Sequence, residues 1–84
     1  MATLIKSNGN KIENFNHKGL EAKQKAVGGY IEVVYTHKYV IYVNEDGINK
    51  RLPLNLEVSA LVGRYILGDA LVMTHKESRE EDEK

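Results

Sequence analysis

Hydrophobic and polar residues alternate most regularly between Gly28 and Gly47, where four of the five tyrosines lie. The alternation predicts one strand over residues 30–36 and a second over residues 39–43, joined by a two-residue turn. Glycines bound the pair, as is typical of turns. Because neither strand has a wholly polar face, we expect both to lie centrally in a sheet or to be covered on one side.

Turn and helix signals precede this pair of strands. Asn8-Gly9 favours a tight turn, so residues 1–15 are predicted to form an N-terminal hairpin. Apolar spacing predicts a helix over residues 20–27, ended by Gly28. For this helix we expect Asn16 or His17 as the N-cap, Leu20, Ala26 and Val27 as packed positions, and Glu21, Lys23 and Lys25 facing water.

The C-terminal half of the chain predicts three further elements. Residues 48–52 are expected to return as a strand, which Pro53 ends because proline donates no ladder hydrogen bond. Asn55 is well placed to cap a short helix over residues 56–62. The last strand is predicted over residues 66–73, with a bulge or bend at its glycine-aspartate pair.

The order ββαβββαβ predicts a compact α+β domain with a curved, mainly antiparallel sheet and two short helices. We expect one domain over residues 1–74, because a chain of 84 residues is long enough for a single core. Residues 75–84 contain five acidic and three basic residues and no apolar residue. We expect this acidic tail to be frayed helix or disordered.

Composition narrows the class of protein. The chain has no cysteine, so neither a disulfide nor a thiolate metal site is available. No signal peptide or membrane-spanning run is visible, and we expect a cytoplasmic protein. The net charge is zero, and residues 1–74 carry only nine bases against seven acids. That surplus is too small to indicate a strong nucleic-acid binder.

Four short motifs together resemble a small domain-of-unknown-function family of phages, plasmids and their bacterial hosts. They are V-G-G-x-I-E-V-V at 27–34, N-E-x-G at 44–47, L-P-x-N at 52–55 and G-D at 68–69. The resemblance extends from about Leu20 to Met73. It implies an accessory protein of a mobile element with no established enzymatic activity, and it transfers no catalytic residues. If the protein is phage-encoded, its place is the host cytoplasm.

No residue pattern indicates catalysis or metal binding. His17, His37 and His75 lie in three separate segments, without a second ligand at metal-binding spacing. The chain has no nucleophile motif, and its double glycine follows a helix, whereas a phosphate loop precedes one. We therefore expect no enzymatic activity, no cofactor and no metal.

The tyrosines of the two strands are the best candidates for a binding surface. Their rings could cover a thin core, anchor a protein partner or stack on nucleobases, and these alternatives stay open. Basic residues nearby could contact an anionic group. The hypothetical binding set is Tyr35, His37, Lys38, Tyr39, Tyr42, Arg51 and Arg64.

Glu32 is an acid within a run of β-branched residues. If it is buried, it needs a partner. We predict a structural polar cluster of Glu32, Asn44 and Asn55, in which an arginine pairs with the glutamate. The alternative is an exposed glutamate on an edge strand.

These observations favour a non-enzymatic binding protein of phage or mobile-element origin. It would bind a host protein or sequester a small ligand, in host takeover or counter-defence. The alternatives are a weak nucleic-acid-binding β-domain and a structural homodimer formed through a strand edge. No membrane partner is expected.

Overall fold

A computed structural model describes residues 2–15 and 18–82, and the side chains up to residue 79. Its centre is a five-stranded antiparallel sheet with strand order β2-β1-β5-β4-β3. This arrangement confirms the α+β class. The elements are β1 Ala2–Ile5, β2 Lys11–Phe15, α1 Leu20–Val27, β3 Ile31–Tyr35, β4 Tyr39–Asn44, α2 Leu56–Val62, β5 Ala70–Thr74 and α3 His75–Asp82.

The sheet consists of two local hairpins joined by the last strand. β1 pairs with β2 and β3 pairs with β4, as the turn signals predict. β5 then lies between the two hairpins, where Val72 is opposite both Thr3 and Ile41. Its residues 70–73 are all buried, because strands flank it on both sides and side chains cover both of its faces.

Hydrophobic clusters cover both faces of the sheet. One cluster contains Ile41 and Val72 of the sheet and Val58 of α2. The other contains Leu71 and Met73, with Ala26 of α1 packed against it. The helices α1 and α2 therefore lie on opposite faces, which explains why the central strands have no wholly polar side.

Two predicted strand segments form turns or bends in the structure. Residues 48–52 form no strand, because the N–H of Lys50 donates to Asp46, and the N–H of Arg51 donates to Ile48. These bonds satisfy the backbone within the loop, and Arg51 has a φ of 53° that a strand excludes. The last strand begins at Ala70 and not at residue 66, because the predicted bend precedes the strand.

Helix α1 differs from its predicted orientation. Lys23 is buried, with 5% of its surface exposed, and its Nζ lies 5.2 Å from the centre of the Tyr42 ring. Leu20 is 60% exposed because it stands in the first turn of the helix. A long lysine stem can cover apolar surface while its ammonium faces an aromatic ring. The prediction of an exposed Lys23 and a packed Leu20 is therefore wrong.

Helix α1 begins after a glycine, and a third helix follows the last strand. Gly19 occupies the N-cap position of α1, and the predicted caps Asn16 and His17 lie outside the described residues. Much of the acidic tail forms helix α3, which starts directly after β5. No helix in the described part of the chain is long and apolar enough to cross a membrane.

Candidate functional site

Among residues 2–15 and 18–82, no strand pairs with the outer side of β3. In its hairpin, the N–H of Glu45 donates to the carbonyl of Tyr30, and the N–H of Thr36 donates to the carbonyl of Tyr39, both at 2.9 Å. In an antiparallel pair, every second residue directs its N–H and C=O groups to the partner strand. In β3 and its flanking positions, these are residues 30, 32, 34 and 36, which face β4. The N–H and C=O groups of Ile31, Val33 and Tyr35 consequently point out of the sheet.

The other outer strand, β2, carries features that hinder further pairing. It contains two charged residues, Lys11 and Glu13, and Asn14 has a φ of 56°. The pairing of β2 with β1 also shifts register between Ala2 and Leu4. Charges and irregular backbone are the usual protection of a sheet edge. β3 has neither a register shift nor a positive φ, and Glu32 is its one charged residue.

Large side chains are exposed along β3. Tyr30, immediately before the strand, is 74% exposed, Tyr35 at its last position is 70% exposed, and Val33 between them is partly exposed. We call residues 30–35 the edge surface. Such a combination of unpaired backbone and exposed aromatic groups is suited to binding an extended polypeptide.

Helix α3 holds one end of the edge surface in place. The rings of Tyr35 and His75 stack with a centroid distance of 6.4 Å and an interplanar angle of 19°. Nε2 of His75 lies 2.8 Å from the carbonyl oxygen of Thr36, which accepts its hydrogen bond. A neutral or protonated imidazole can make this bond, provided that Nε2 carries a proton.

The structure divides the predicted binding set between surface and core. Tyr35 is exposed at the end of β3, and His37 and Lys38 are exposed in the adjoining turn. Tyr39 and Tyr42 pack against the hydrophobic clusters on opposite faces of the sheet. Because they do not share a face, the tyrosines form no common stacking platform.

The two remaining basic residues of the set lie elsewhere. Arg51 is exposed in the turns that follow β4, and Arg64 follows α2. Nη2 of Arg64 donates to Oε2 of Glu32 at 3.1 Å, with 52% and 45% of the two side chains exposed. The expected arginine partner of Glu32 is present, but the pair is on the surface.

The three residues of the predicted polar cluster lie apart and bind different partners. Nδ2 of Asn44 donates to the carbonyl of Val27, and Asn55 caps α2 by accepting from the N–H of Val58. Glu32 contacts neither, because it projects from the outer strand toward Arg64. The cap on α2 is confirmed, whereas a single buried cluster is not formed.

We expect Glu32→Ala to lower the free energy of unfolding by less than about 1 kcal/mol, because exposed ion pairs contribute little. A buried cluster would have made the loss about 1–3 kcal/mol. Urea unfolding of Glu32→Ala, Arg64→Ala and the double variant would measure the coupling between the two side chains. A coupling well above 1 kcal/mol would contradict the surface assignment.

Two open grooves flank the sheet. One, of about 320 Å³, lies beside the Glu32–Arg64 pair and the loop that follows β4. The other, of about 360 Å³, lies beside α2, where Nζ of Lys11 is 2.6 Å from Oε2 of Glu57. The hydrogen bond and charge of Glu57 raise the pKa of Lys11. Each groove is thus lined by one of these exposed ion pairs.

The described side chains were compared with the needs of a metal site and of a polar contact between elements. Among them, no three histidines or carboxylates are grouped in a way that could hold a metal ion. Oγ of Ser59 accepts from the N–H of Ile66 at 2.8 Å and contacts its carbonyl at 3.3 Å, so this hydroxyl joins α2 to the following loop. The edge surface is therefore the feature that suggests a function.

A family comparison accounts for nearly the whole chain. The model of a family described as "Domain of unknown function (DUF3846)" matches residues 1–83. The chain belongs to this family. The match is wider than the resemblance outlined from 20 to 73, and it includes the N-terminal hairpin and most of the acidic tail. No curated protein and no solved structure gives a significant match.

The sequence motifs of this family member correspond to points where separate segments are joined. Gly28 closes α1, Asn44 bonds back to the end of α1, and Asn55 joins three segments. Oδ1 of Asp69 accepts from the N–H of Ser7, which ties the approach to β5 to the first hairpin. The motifs therefore account for how separate segments of the fold are joined.

Tyr30 is one of the candidate tyrosines of the predicted strands, but the hypothetical binding set does not include it. Its side chain is among the most exposed large groups, and it immediately precedes β3 within the first motif. The available signal was the absence of lysine and proline from 30–35, a composition that does not protect a strand edge.

Proposed function

We propose that this protein is a non-enzymatic binding module whose edge surface accepts an extended segment of a partner protein as an additional strand. The supporting observation is the difference between the two outer strands, of which β2 is protected and β3 is not. Strand addition uses backbone hydrogen bonds for affinity and alternate side chains for specificity.

The backbone groups that would bind such a segment already point out of the sheet. The N–H and C=O groups of Ile31, Val33 and Tyr35 face outward, and forming bonds to them breaks none of the β3–β4 bonds. Exposed tyrosines at both ends offer apolar area with few side-chain torsions to immobilise. We assign the edge surface as the binding site, with His37 and Lys38 beside it.

The family resemblance favours a phage or other mobile element as the origin, and a host protein in the cytoplasm as the partner. A short module with an unprotected edge is suited to occupying another protein's surface. This biological setting is an expectation from analogy with other small mobile-element proteins.

The test uses a soluble peptide of alternating valine and lysine as the probe. A fluorophore on a cysteine introduced at Asn8, in the turn of the other hairpin, reports binding at nanomolar protein. We expect saturable binding by the wild type and by Val33→Thr, and at least tenfold weaker binding by Val33→Pro. Proline at position 33 removes an outward N–H without removing a β3–β4 hydrogen bond. Edge strands tolerate proline at such positions.

Hydrogen exchange locates the bound peptide. We expect the amides of Ile31, Val33 and Tyr35 to exchange rapidly in the free monomer and to become protected with the probe. Equal binding by Val33→Pro, or protection confined to β2, would overturn the proposal. Circular dichroism of each variant shows whether the fold is intact.

A further inference from the structure

We propose that, in the absence of another partner, β3 of a second copy occupies the edge surface, antiparallel and with Val33 opposite Val33 of the second copy. This inference rests on the proposed strand-binding function and names the first partner of that site. The contact is isologous, as expected for a twofold homodimer. It joins the two five-stranded sheets into one continuous sheet.

The backbone geometry allows one register that uses the whole strand. Outward-facing groups belong to the odd-numbered residues 31, 33 and 35, so these must form the hydrogen-bonded pairs of an antiparallel contact. With Val33 on the twofold axis, Ile31 lies opposite Tyr35 of the second copy, and the reverse pair is equivalent. Each pair can exchange both of its backbone hydrogen bonds.

Side chains favour the same register. Ile31, Val33 and Tyr35 share the face that carries α1, so the contact places β-branched and aromatic groups together. Tyr35 and Val33 are exposed in the single chain, and the contact between two copies would bury part of their surface. Cross-strand pairs of this type are among the favourable ones in antiparallel sheets.

Both neighbouring registers are less favourable, one through charge and the other through the length of the strand. In the proposed register, Glu32 lies opposite Val34 of the second copy, and Arg64 of its own chain remains its ionic partner. A slip of two residues in one direction sets Glu32 opposite its own equivalent, and like charges facing each other destabilise a strand pair. A slip in the other direction sets Ile31 opposite His37, which is outside the strand.

Analytical ultracentrifugation tests the assembly. We expect the wild type and Val33→Thr to sediment as dimers at micromolar concentrations, and Val33→Pro to sediment as a monomer with unchanged circular dichroism. A monomeric wild type throughout this range would overturn the dimer. So would a Val33→Pro variant that remains dimeric.

Single cysteines test the register, because the natural chain contains none. On mild oxidation, we expect Val33→Cys to form a covalent dimer readily. Glu32→Cys and Val34→Cys should each crosslink poorly alone but form a mixed dimer when combined. Efficient crosslinking of Glu32→Cys alone would overturn the register.

The peptide experiment separates the two proposals. Binding of the probe at the edge by a wild type that is always monomeric would remove the dimer and retain the strand-binding function. A dimer of the proposed register that never binds the probe would restrict the edge to self-association. In that case the proposed function fails while the dimer stands.

Discussion

Asn55→Ala is expected to lower the free energy of unfolding by about 3–4 kcal/mol, because three buried hydrogen bonds depend on this side chain. Asn55 is 1% exposed, and its Nδ2 donates to the carbonyls of Ile5 and Gly68, each at 2.9 Å. Its Oδ1 accepts from the N–H of Val58 at 3.2 Å. Alanine leaves all three backbone groups without this partner. Urea unfolding followed by circular dichroism measures the loss.

Two further variants separate the parts of this effect. Asn55→Asp keeps an acceptor for the helix cap but loses the two amide donations, so it should remain strongly destabilised. Asn49→Ala removes an exposed asparagine whose Nδ2 contacts Asp46, and we expect a change within about 0.5 kcal/mol. If Asn55→Asp were as stable as the wild type, the bonds to Ile5 and Gly68 would have no energetic importance.

Gly68→Ala is expected to lower the free energy of unfolding by about 2–4 kcal/mol. Gly68 has a φ of 86°, where an L-residue is strained, and an added Cβ would lie 2.8 Å from Cδ1 of Leu52. The same residue supplies a carbonyl to Asn55, so a backbone shift that relieves the contact would weaken that bond. Thermal and urea unfolding would measure the effect.

Gly63→Ala is the matched control for this substitution. Gly63 has a φ of 84°, similar to that of Gly68, but an added Cβ would meet no atom within 4 Å. We expect a loss of about 1 kcal/mol from the backbone conformation alone. The difference between the two variants isolates the contact with Leu52. Equal losses would show that this contact has no energetic effect.

Local signals predicted those parts of the fold that depend on few neighbours. The glycines after residues 27 and 62, and the cap at Asn55, ended or began helices as expected. The hairpin of β3 and β4 followed from alternation. The strand predicted over residues 48–52 was wrong because its apolar content was weak and turn bonds within the loop competed with a ladder.

The candidate site was less accessible to sequence reasoning. Exposure of Tyr35 and partial burial of Tyr39 and Tyr42 depend on which helix covers each face of the sheet, and alternation alone does not decide this. The burial of Lys23 could not be predicted from the sequence either, because it depends on the contact with the Tyr42 ring. The site is therefore a property of strand order, which arises from contacts distant in sequence.

The stretch between Gly28 and Gly47 by itself determined a two-stranded hairpin after a helix, because hydrogen bonding and side-chain alternation there are local. Tertiary structure alone decided that β5 pairs with β4 on one side, so that β3 becomes the outer strand. Pairing between segments far apart in the chain depends on the whole core, and a sequence pattern does not specify which neighbour a strand receives. That choice leaves the backbone of Ile31, Val33 and Tyr35 open to a further strand.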